Sequence, residues 1–333
     1  MLNSYWEYAG TRYKHKLKAL EASNGDYQNV SFHLFDDPSF KNYDWTVEPA
    51  QSLKSLMVER VHQLRDKYDY IKLWFSGGPD STTVLNTFLD EFVFIDEIIV
   101  YRFRPTTKDN LGDYEIDNYT VPYLESLHPQ IPHTKINIFD YGSEYFDKYL
   151  GDKWFHTKNN LSIRHFHVPK INGKNFCNLV CDGEPVVDSL EGKWYAELWD
   201  TDNYSELTSY RNMELFYTTP DMPELHAKQC HIMKNTLIEQ GFNSRPNFPV
   251  WKDLMRDTVR DTPVAPEPYW FKKPDTRANM LTNTLSPKDK LMLRSMTNTQ
   301  RDKVQYQMNM TVGGKKLFRL QHGFKAHSFY LGD

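Results

Sequence analysis

Residues 70–82 read YIKLWFSGGPDST, and the fold turns on this stretch. Tyr70 to Phe75 form a short, mostly apolar run, as expected of a strand buried on both faces. The run passes directly into Ser76-Gly77-Gly78-Pro79-Asp80-Ser81-Thr82, after which Thr83 to Leu89 has a helical pattern. A strand, a glycine loop and a helix in succession aim backbone N–H groups and a helix N-terminus at one point, where an anion is welcome. Gly77 and Gly78 clear side chains from that point and permit backbone angles that a β-carbon resists. Ser76, Ser81 and Thr82 add hydroxyl donors, and Asp80 offers a carboxylate to Mg²⁺ or to the helix cap. The loop does not fit G-x-x-x-x-G-K-[ST], which argues against a kinase-like or GTPase-like phosphate loop; Gly313-Gly314-Lys315, followed by Lys316, does not fit it either.

Working outward, Leu53, Leu56, Met57, Val61 and Leu64 recur at three- and four-residue spacing and predict an amphipathic helix over 53–68 leading into the strand. Downstream, strands are expected at 97–103, 134–139 and 176–181, with helices over 116–127 and 143–150 between them. Strands alternating with helices predict an α/β protein with a doubly wound parallel sheet, its nucleotide domain at 70–185 and a helical lead-in at 1–69. From 186 to 244 the pattern suggests a hairpin over 186–199, turning near Glu191-Gly192, and then a helix over 223–240. Residues 245–333 are basic and punctuated by prolines, and are expected to be irregular and laid over the body.

The string SGGPDST resembles the SGGxDS[ST] signature of the N-type ATP pyrophosphatases, the PP-loop family that includes asparagine synthetase, GMP synthetase and argininosuccinate synthetase. The resemblance implies a HUP-like sheet, cleavage of ATP between its α and β phosphates, and an adenylated intermediate attacked by a nitrogen or sulfur nucleophile. It assigns Ser76, Gly77, Gly78, Asp80, Ser81 and Thr82 to the pyrophosphate and its Mg²⁺, while Pro79 has no N–H to give. Within the family, the synthetase domain of asparagine synthetase is the nearest likeness. Val58 to Phe75 matches its lead-in helix and strand, and Leu179 to Pro185, LVCDGEP, stands where that family has G-[DE]-G-x-D-E. Asp182 and Gly183 match; Pro185 and Val186 replace the following Asp-Glu pair, and no cysteine precedes Cys177, so the family's glutaminase nucleophile has no counterpart here.

Ligands of open α/β sheets gather at the carboxyl ends of strands. Asp80 and Asp182 are therefore the candidate catalytic and Mg²⁺-binding carboxylates, with Glu184 a further ligand for the metal or for a substrate amine; a solvated acidic turn is the alternative for the last two. Arg102 and Arg104 end the second strand, near the edge to which the resemblance assigns adenosine. Arg102 is thus a candidate for neutralising phosphate charge, with a surface role as the alternative. His156, His165 and His167 with Cys177 and Cys181 match no common zinc spacing. The two cysteines, four apart on one strand, should share a face in the core or a pocket wall, although Cys181 beside Asp182 is also a candidate persulfide carrier.

The remaining sequence narrows the setting. Three cysteines are too few for a disulfide framework, no run of eighteen apolar residues occurs, and the first residues lack a secretory pattern, so a soluble cytoplasmic protein is expected. The net charge of −4 conceals a division. Residues 245–333 carry 16 Lys+Arg against 8 Asp+Glu, and residues 1–244 carry 24 against 36. The basic segment, including Lys315, Lys316 and Arg319, either docks on the acidic body or meets a polyanion. Three functions follow: an AMP-forming, asparagine-synthetase-like amide ligase; a PP-loop enzyme acting on nucleic acid or a nucleobase through residues 245–333; and a non-catalytic adenine-nucleotide-binding protein.

Overall fold

A computed structural model describes residues 5–13, 16–24, 26, 29–33, 38–104, 115–141, 174–181, 183, 185–197, 212–261, 264 and 328–333. In chain order its elements begin with β1 (Tyr5–Tyr8), β2 (Thr11–Tyr13), α1 (Lys16–Ser23), β3 (Val30–His33), α2 (Pro38–Lys41) and α3 (Leu53–Lys67). Next come β4 (Tyr70–Trp74), α4 (Pro79–Asp90), β5 (Glu97–Phe103), a π-helical turn (Ile116–Thr120), α5 (Val121–Leu127), β6 (Lys135–Tyr141) and β7 (Phe176–Val180). The chain continues through β8 (Val186–Leu190), β9 (Lys193–Glu197), β10 (Met213–Leu215), α6 (Pro223–Glu239), α7 (Phe248–Val259) and β11 (Ser328–Tyr330).

The protein is α/β, organised on a five-stranded sheet in the order β10-β7-β4-β5-β6. Every neighbouring pair in it is parallel. Successive side chains of a strand point to opposite faces, and two apolar clusters follow that alternation. Ile71, Leu73 and Phe75 of the β4 segment join Ile98, Val100, Cys177 and Leu179 on one face, covered by Leu56, Val61 and Leu64 of α3 and by Val84, Leu85 and Phe88 of α4. Trp74, Ile99 and Val180 point the other way, into a cluster with Met233 and Leu237 of α6, Trp251 and Met255 of α7, and Trp6 and Leu20 from the N-terminal region. The β4 run is apolar nearly throughout because both of its faces are covered.

Two ion pairs are enclosed by these layers. Lys72 and Glu97, paired in register across β4 and β5, meet at 2.9 Å with both side chains 3% exposed. The Glu97 carboxylate also accepts from Tyr70 Oη and Asn137 Nδ2. Burial alone raises a carboxyl pKa, but these donors outweigh it and hold Glu97 below its ordinary value. Arg60 of α3 donates to Glu214 of β10 at 3.0 Å and to Leu215 O, tying the edge strand to the helix.

Three expectations are corrected. The N-terminal region is not a helical lead-in alone: β2, β1 and β3 form an antiparallel sheet, whose Trp6 and Val30 enter the core. The parallel sheet does not end near 185, since its fifth strand is β10 at 213–215. The segment from residue 245 onward is not uniformly irregular either. Asn247 caps α7 by accepting from Val250 N at 3.3 Å, and Trp251, Leu254, Met255 and Val259 supply an apolar face that packs into the core. The hairpin forms as expected, β8 and β9 turning at Glu191 and Gly192, both with positive φ. Beyond it, β11 adds to the free edge of β9.

Candidate functional site

The glycine loop lies where β4 ends, with β5 on one side of that strand and β7 on the other. Helix α4 starts earlier than the sequence pattern predicts, at Pro79, because proline's fixed φ and missing N–H suit the first helical position. Asp80 and Ser81 therefore belong to the first turn, where N–H groups have no acceptor within the helix, while Thr82 N already donates to Gly78 O at 2.9 Å. Gly78 is the N-cap and supplies no side-chain cap. Gly77 has φ +76, and a β-carbon there would stand 2.4 Å from Thr120 Oγ1. Thr120 closes the π-helical turn and donates to Ser76 O at 3.2 Å, so this turn walls the loop on one side.

Within the loop the hydroxyl groups hold one another loosely. Ser76 N donates to Ser81 Oγ at 3.3 Å, the two serine hydroxyls lie 3.3 Å apart, Gly78 N donates to Ser76 Oγ at 3.3 Å, and Ser81 Oγ donates to Gly78 O at 3.2 Å. These are at the long end of hydrogen-bond distances, and an anionic oxygen makes a better acceptor. Thr82 is 3% exposed, and its Oγ1 has no hydrogen-bond partner among the described residues.

Asp80 is held from behind. Arg260, just beyond α7, donates from Nε to Asp80 Oδ1 at 2.6 Å, with the arginine side chain fully buried and that of Asp80 24% exposed. The same guanidinium lies 3.8 Å over the ring of Tyr217, whose hydroxyl donates to the backbone oxygen of Asp80 at 2.8 Å. Burial pushes the Tyr217 phenol well above its ordinary value, so it stays a neutral donor. Gly183 gives this wall its closeness: its φ is +146, and a β-carbon would come within 2.8 Å of Tyr217 Cβ. Behind Tyr217, Thr218 Oγ1 lies 3.3 Å from His226 Nδ1, and Cys230 Sγ lies 3.6 Å from His226 Nε2. Burial, with the Arg260 charge adding to it, pushes the His226 imidazole down to about 3. Cys230 is fully buried and its thiol pKa is raised by burial, which makes this group a packed polar wall rather than a nucleophile.

The structure thus brings Ser76, Gly77, Gly78, Asp80, Ser81 and Thr82 together in one loop. Asp182 and Glu184 lie outside the described residues, as do His156, His165 and His167. Cys177 and Cys181 share one cluster, as their spacing predicts. Burial raises the Cys177 thiol, which does not suit a thiolate. Arg102 stands at the end of β5 but is already matched: Nε and Nη2 grip Asp140 at 2.6 and 2.9 Å, and Nη1 reaches Asp117 at 3.1 Å. Arg104 binds the same Asp117 through two nitrogens, at 2.7 and 2.8 Å. Sequence reading missed Arg260, Tyr217 and Thr120. None lies near the loop in the chain, and only the positive charge of Arg260, in a segment expected to dock on the acidic body, gave any signal.

As to a cation, Asp80 is the carboxylate that the described residues bring to the loop. Among those residues, no group of three or more His, Cys, Asp or Glu side chains converges. That donor set fits a hard cation shared with phosphate oxygens, not one caged by protein alone. Among the described residues no helix is long and apolar enough to cross a membrane. Compared with known proteins, the chain matches no family model, no curated protein and no solved structure.

Proposed function

We propose that this protein binds ATP through the loop Ser76–Thr82 and cleaves it to AMP and pyrophosphate, adenylating a carboxylate or carbonyl substrate in the manner of a PP-loop amide ligase. The observation that carries the proposal is the setting of SGGPDST. It joins the central strand of an all-parallel sheet to a helix N-terminus, and its glycine at φ +76 is fitted against Thr120. The order β10-β7-β4-β5-β6 supports a doubly wound, HUP-like fold. In such folds the ligand sits at the carboxyl end of the strand where the winding changes sides, which here is β4.

In this reading the Asp80 and Ser81 N–H groups at the start of α4 meet pyrophosphate oxygens, and the hydroxyls of Ser76 and Ser81 exchange their long internal bonds for them. Asp80 would hold Mg²⁺ jointly with the phosphates, and the ion would supply neutralisation of phosphate charge there. Thr82 Oγ1 supports the reading too, because an orphaned buried hydroxyl costs about 1–3 kcal/mol, which an oxygen brought to the loop relieves. The chain's own contribution is positioning and electrostatic stabilisation by preset donors. Incubation with ATP, Mg²⁺ and candidate carboxylates in turn should yield AMP and pyrophosphate. Asp80→Ala should abolish pyrophosphate release while the circular dichroism spectrum is kept. ADP as the product, or full activity of Asp80→Ala, refutes the assignment.

A further inference from the structure

The loop is fixed by a segment far from it in sequence. At residue 260, the buried Arg260 guanidinium donates to Asp80 Oδ1 at 2.6 Å, to Gln229 Oε1 at 2.6 Å, to Val259 O at 2.8 Å and to Gly183 O at 3.2 Å. At residue 261, Asp261 N donates to Thr83 Oγ1 at 2.8 Å, and Asp261 Oδ2 accepts from Asn86 Nδ2 at 2.9 Å. At residue 264, Val264 N donates to Gly77 O at 3.0 Å. Three residues close together in the chain, Arg260, Asp261 and Val264, therefore grip both the glycine that turns the loop and the helix that follows it.

Arg260 is placed unlike a phosphate-clamping arginine. Such a residue keeps donors free and can reach a ligand, whereas this guanidinium has an acceptor on each of its three nitrogens and a tyrosine ring against its face. Moving it out would strand a charge in a buried site, which burial makes costly. Burial opposes its charge, and the charge and hydrogen bond of the Asp80 carboxylate help to outweigh that effect. Its reach toward the chemistry is through Asp80. By taking Oδ1 it leaves Oδ2 as the oxygen for a cation, and it fixes the carboxylate's rotation at the same time.

We infer that Arg260, Asp261 and Val264 form a strap that presets the loop, and that Arg260 is a positioning residue which orients Asp80 for the Mg²⁺ of a metal–nucleotide complex. The inference rests on the ATP reading of the loop. It assigns two separable tasks: Arg260 governs the cation, and Val264 governs the shape of the phosphate cradle through the Gly77 peptide. A carboxylate already paired with a guanidinium attracts a free divalent cation weakly, so the protein should take Mg²⁺ together with the nucleotide and not before it.

The test is ATP binding by calorimetry on the full chain at a series of Mg²⁺ concentrations and in EDTA, with wild type, Arg260→Gln, Arg260→Lys and Val264→Pro. Loss of an orienting partner typically weakens metal affinity about 10- to 100-fold. Arg260→Gln should therefore shift the Mg²⁺ midpoint upward by at least about tenfold while affinity in EDTA changes less than about threefold, and Arg260→Lys should recover part of the shift. Val264→Pro, which deletes one N–H, should lower affinity by a similar factor with and without Mg²⁺ and leave the midpoint in place. An unmoved Mg²⁺ midpoint in a folded Arg260→Gln protein overturns the inference. Should that variant lose its cooperative melt, Val264→Pro decides, and unchanged affinity there overturns the strap. Wild type that binds no ATP at any Mg²⁺ concentration refutes the ATP reading itself, and the strap's role with it.

Discussion

Two strand ends of the same sheet carry polar groups toward the same edge, and they are built in opposite ways. At the end of β4, loop groups are held to one another at 3.2–3.3 Å and one buried hydroxyl has no partner. At the end of β5, Arg102 and Arg104 bind Asp117 and Asp140 through multiple contacts, the shortest at 2.6 Å. Side-chain hydrogen bonds within that cluster raise Arg102 and lower Asp140 from their ordinary values, each stabilising the other's charge. The first site is loosely satisfied inside a rigid, buried frame. The second is fully satisfied and partly open to water. A polyanion would gain at the first and would have to break existing pairs at the second, which is why the ATP proposal is placed at the site with fewer charges.

The frame behind the β4 loop offers the largest effect by which to break this contrast. His226 is neutral when folded, with a pKa near 3 against 6.5 when unfolded, so the unfolded chain binds more protons between those values. Its contribution to stability is complete above pH 6.5 and is lost as pH falls through that window, at about 1.4 kcal/mol per pH unit. Urea titrations from pH 7 to 4 should show that slope in wild type and a shallower one in His226→Gln. Equal slopes would mean that the frame is not held by burial of a neutral imidazole.

Gly77→Ala tests the loop's shape next. A left-handed φ costs an alanine roughly 1–2 kcal/mol, and the added carbon meets Thr120 as well. ATP affinity should fall on the order of 100-fold, as a misplaced positioning group does. Gly10, with φ +75 and open space around it, is the control, and Gly10→Ala should leave ATP binding alone. Comparable losses in the two variants would detach the effect from Thr120.

Ser76→Ala and Ser81→Ala should each weaken ATP binding by roughly 1.5–3 kcal/mol, the range for a hydrogen bond to a charged group. Unchanged affinity in both would move the nucleotide away from this loop. Smallest of all, Arg102→Ala should alter ATP affinity less than about twofold and stability by about 0.2–1 kcal/mol, as for partly exposed ion pairs. A tenfold loss of affinity there would show that the β5 cluster opens to the ligand and would erase the contrast.

Much of the parallel sheet was legible because its signal is local. The strand at 97–103 was placed to the residue, and α3 and α6 were placed to within a residue, since continuous apolar runs and three-to-four spacing need no knowledge of the partner. Strand β10 was not legible: MEL is too short to show a period, and its place depends on Arg60 and β7. Helix α7 was hidden by the surrounding prolines, of which Pro249 falls in its first turn, where proline is tolerated. The six loop residues were read as a string, while their frame was not, because Thr120, Tyr217 and Arg260 join the loop only through tertiary packing.

The position of β4 also governs what happens while the chain is being made. This strand is central in the sheet, yet β7, which covers one of its edges, leaves the ribosome after β5 and β6. In the interval the nascent chain presents an apolar strand with one unpaired edge, the kind of surface that recruits other strands. A fragment cut at the apparent limit of the nucleotide domain would also lack β10 and Arg260, leaving the far edge of β7 bare and Asp80 without its guanidinium. Trimming this protein to its motif should therefore leave bare strand edges and an unpaired Asp80, not a self-contained domain.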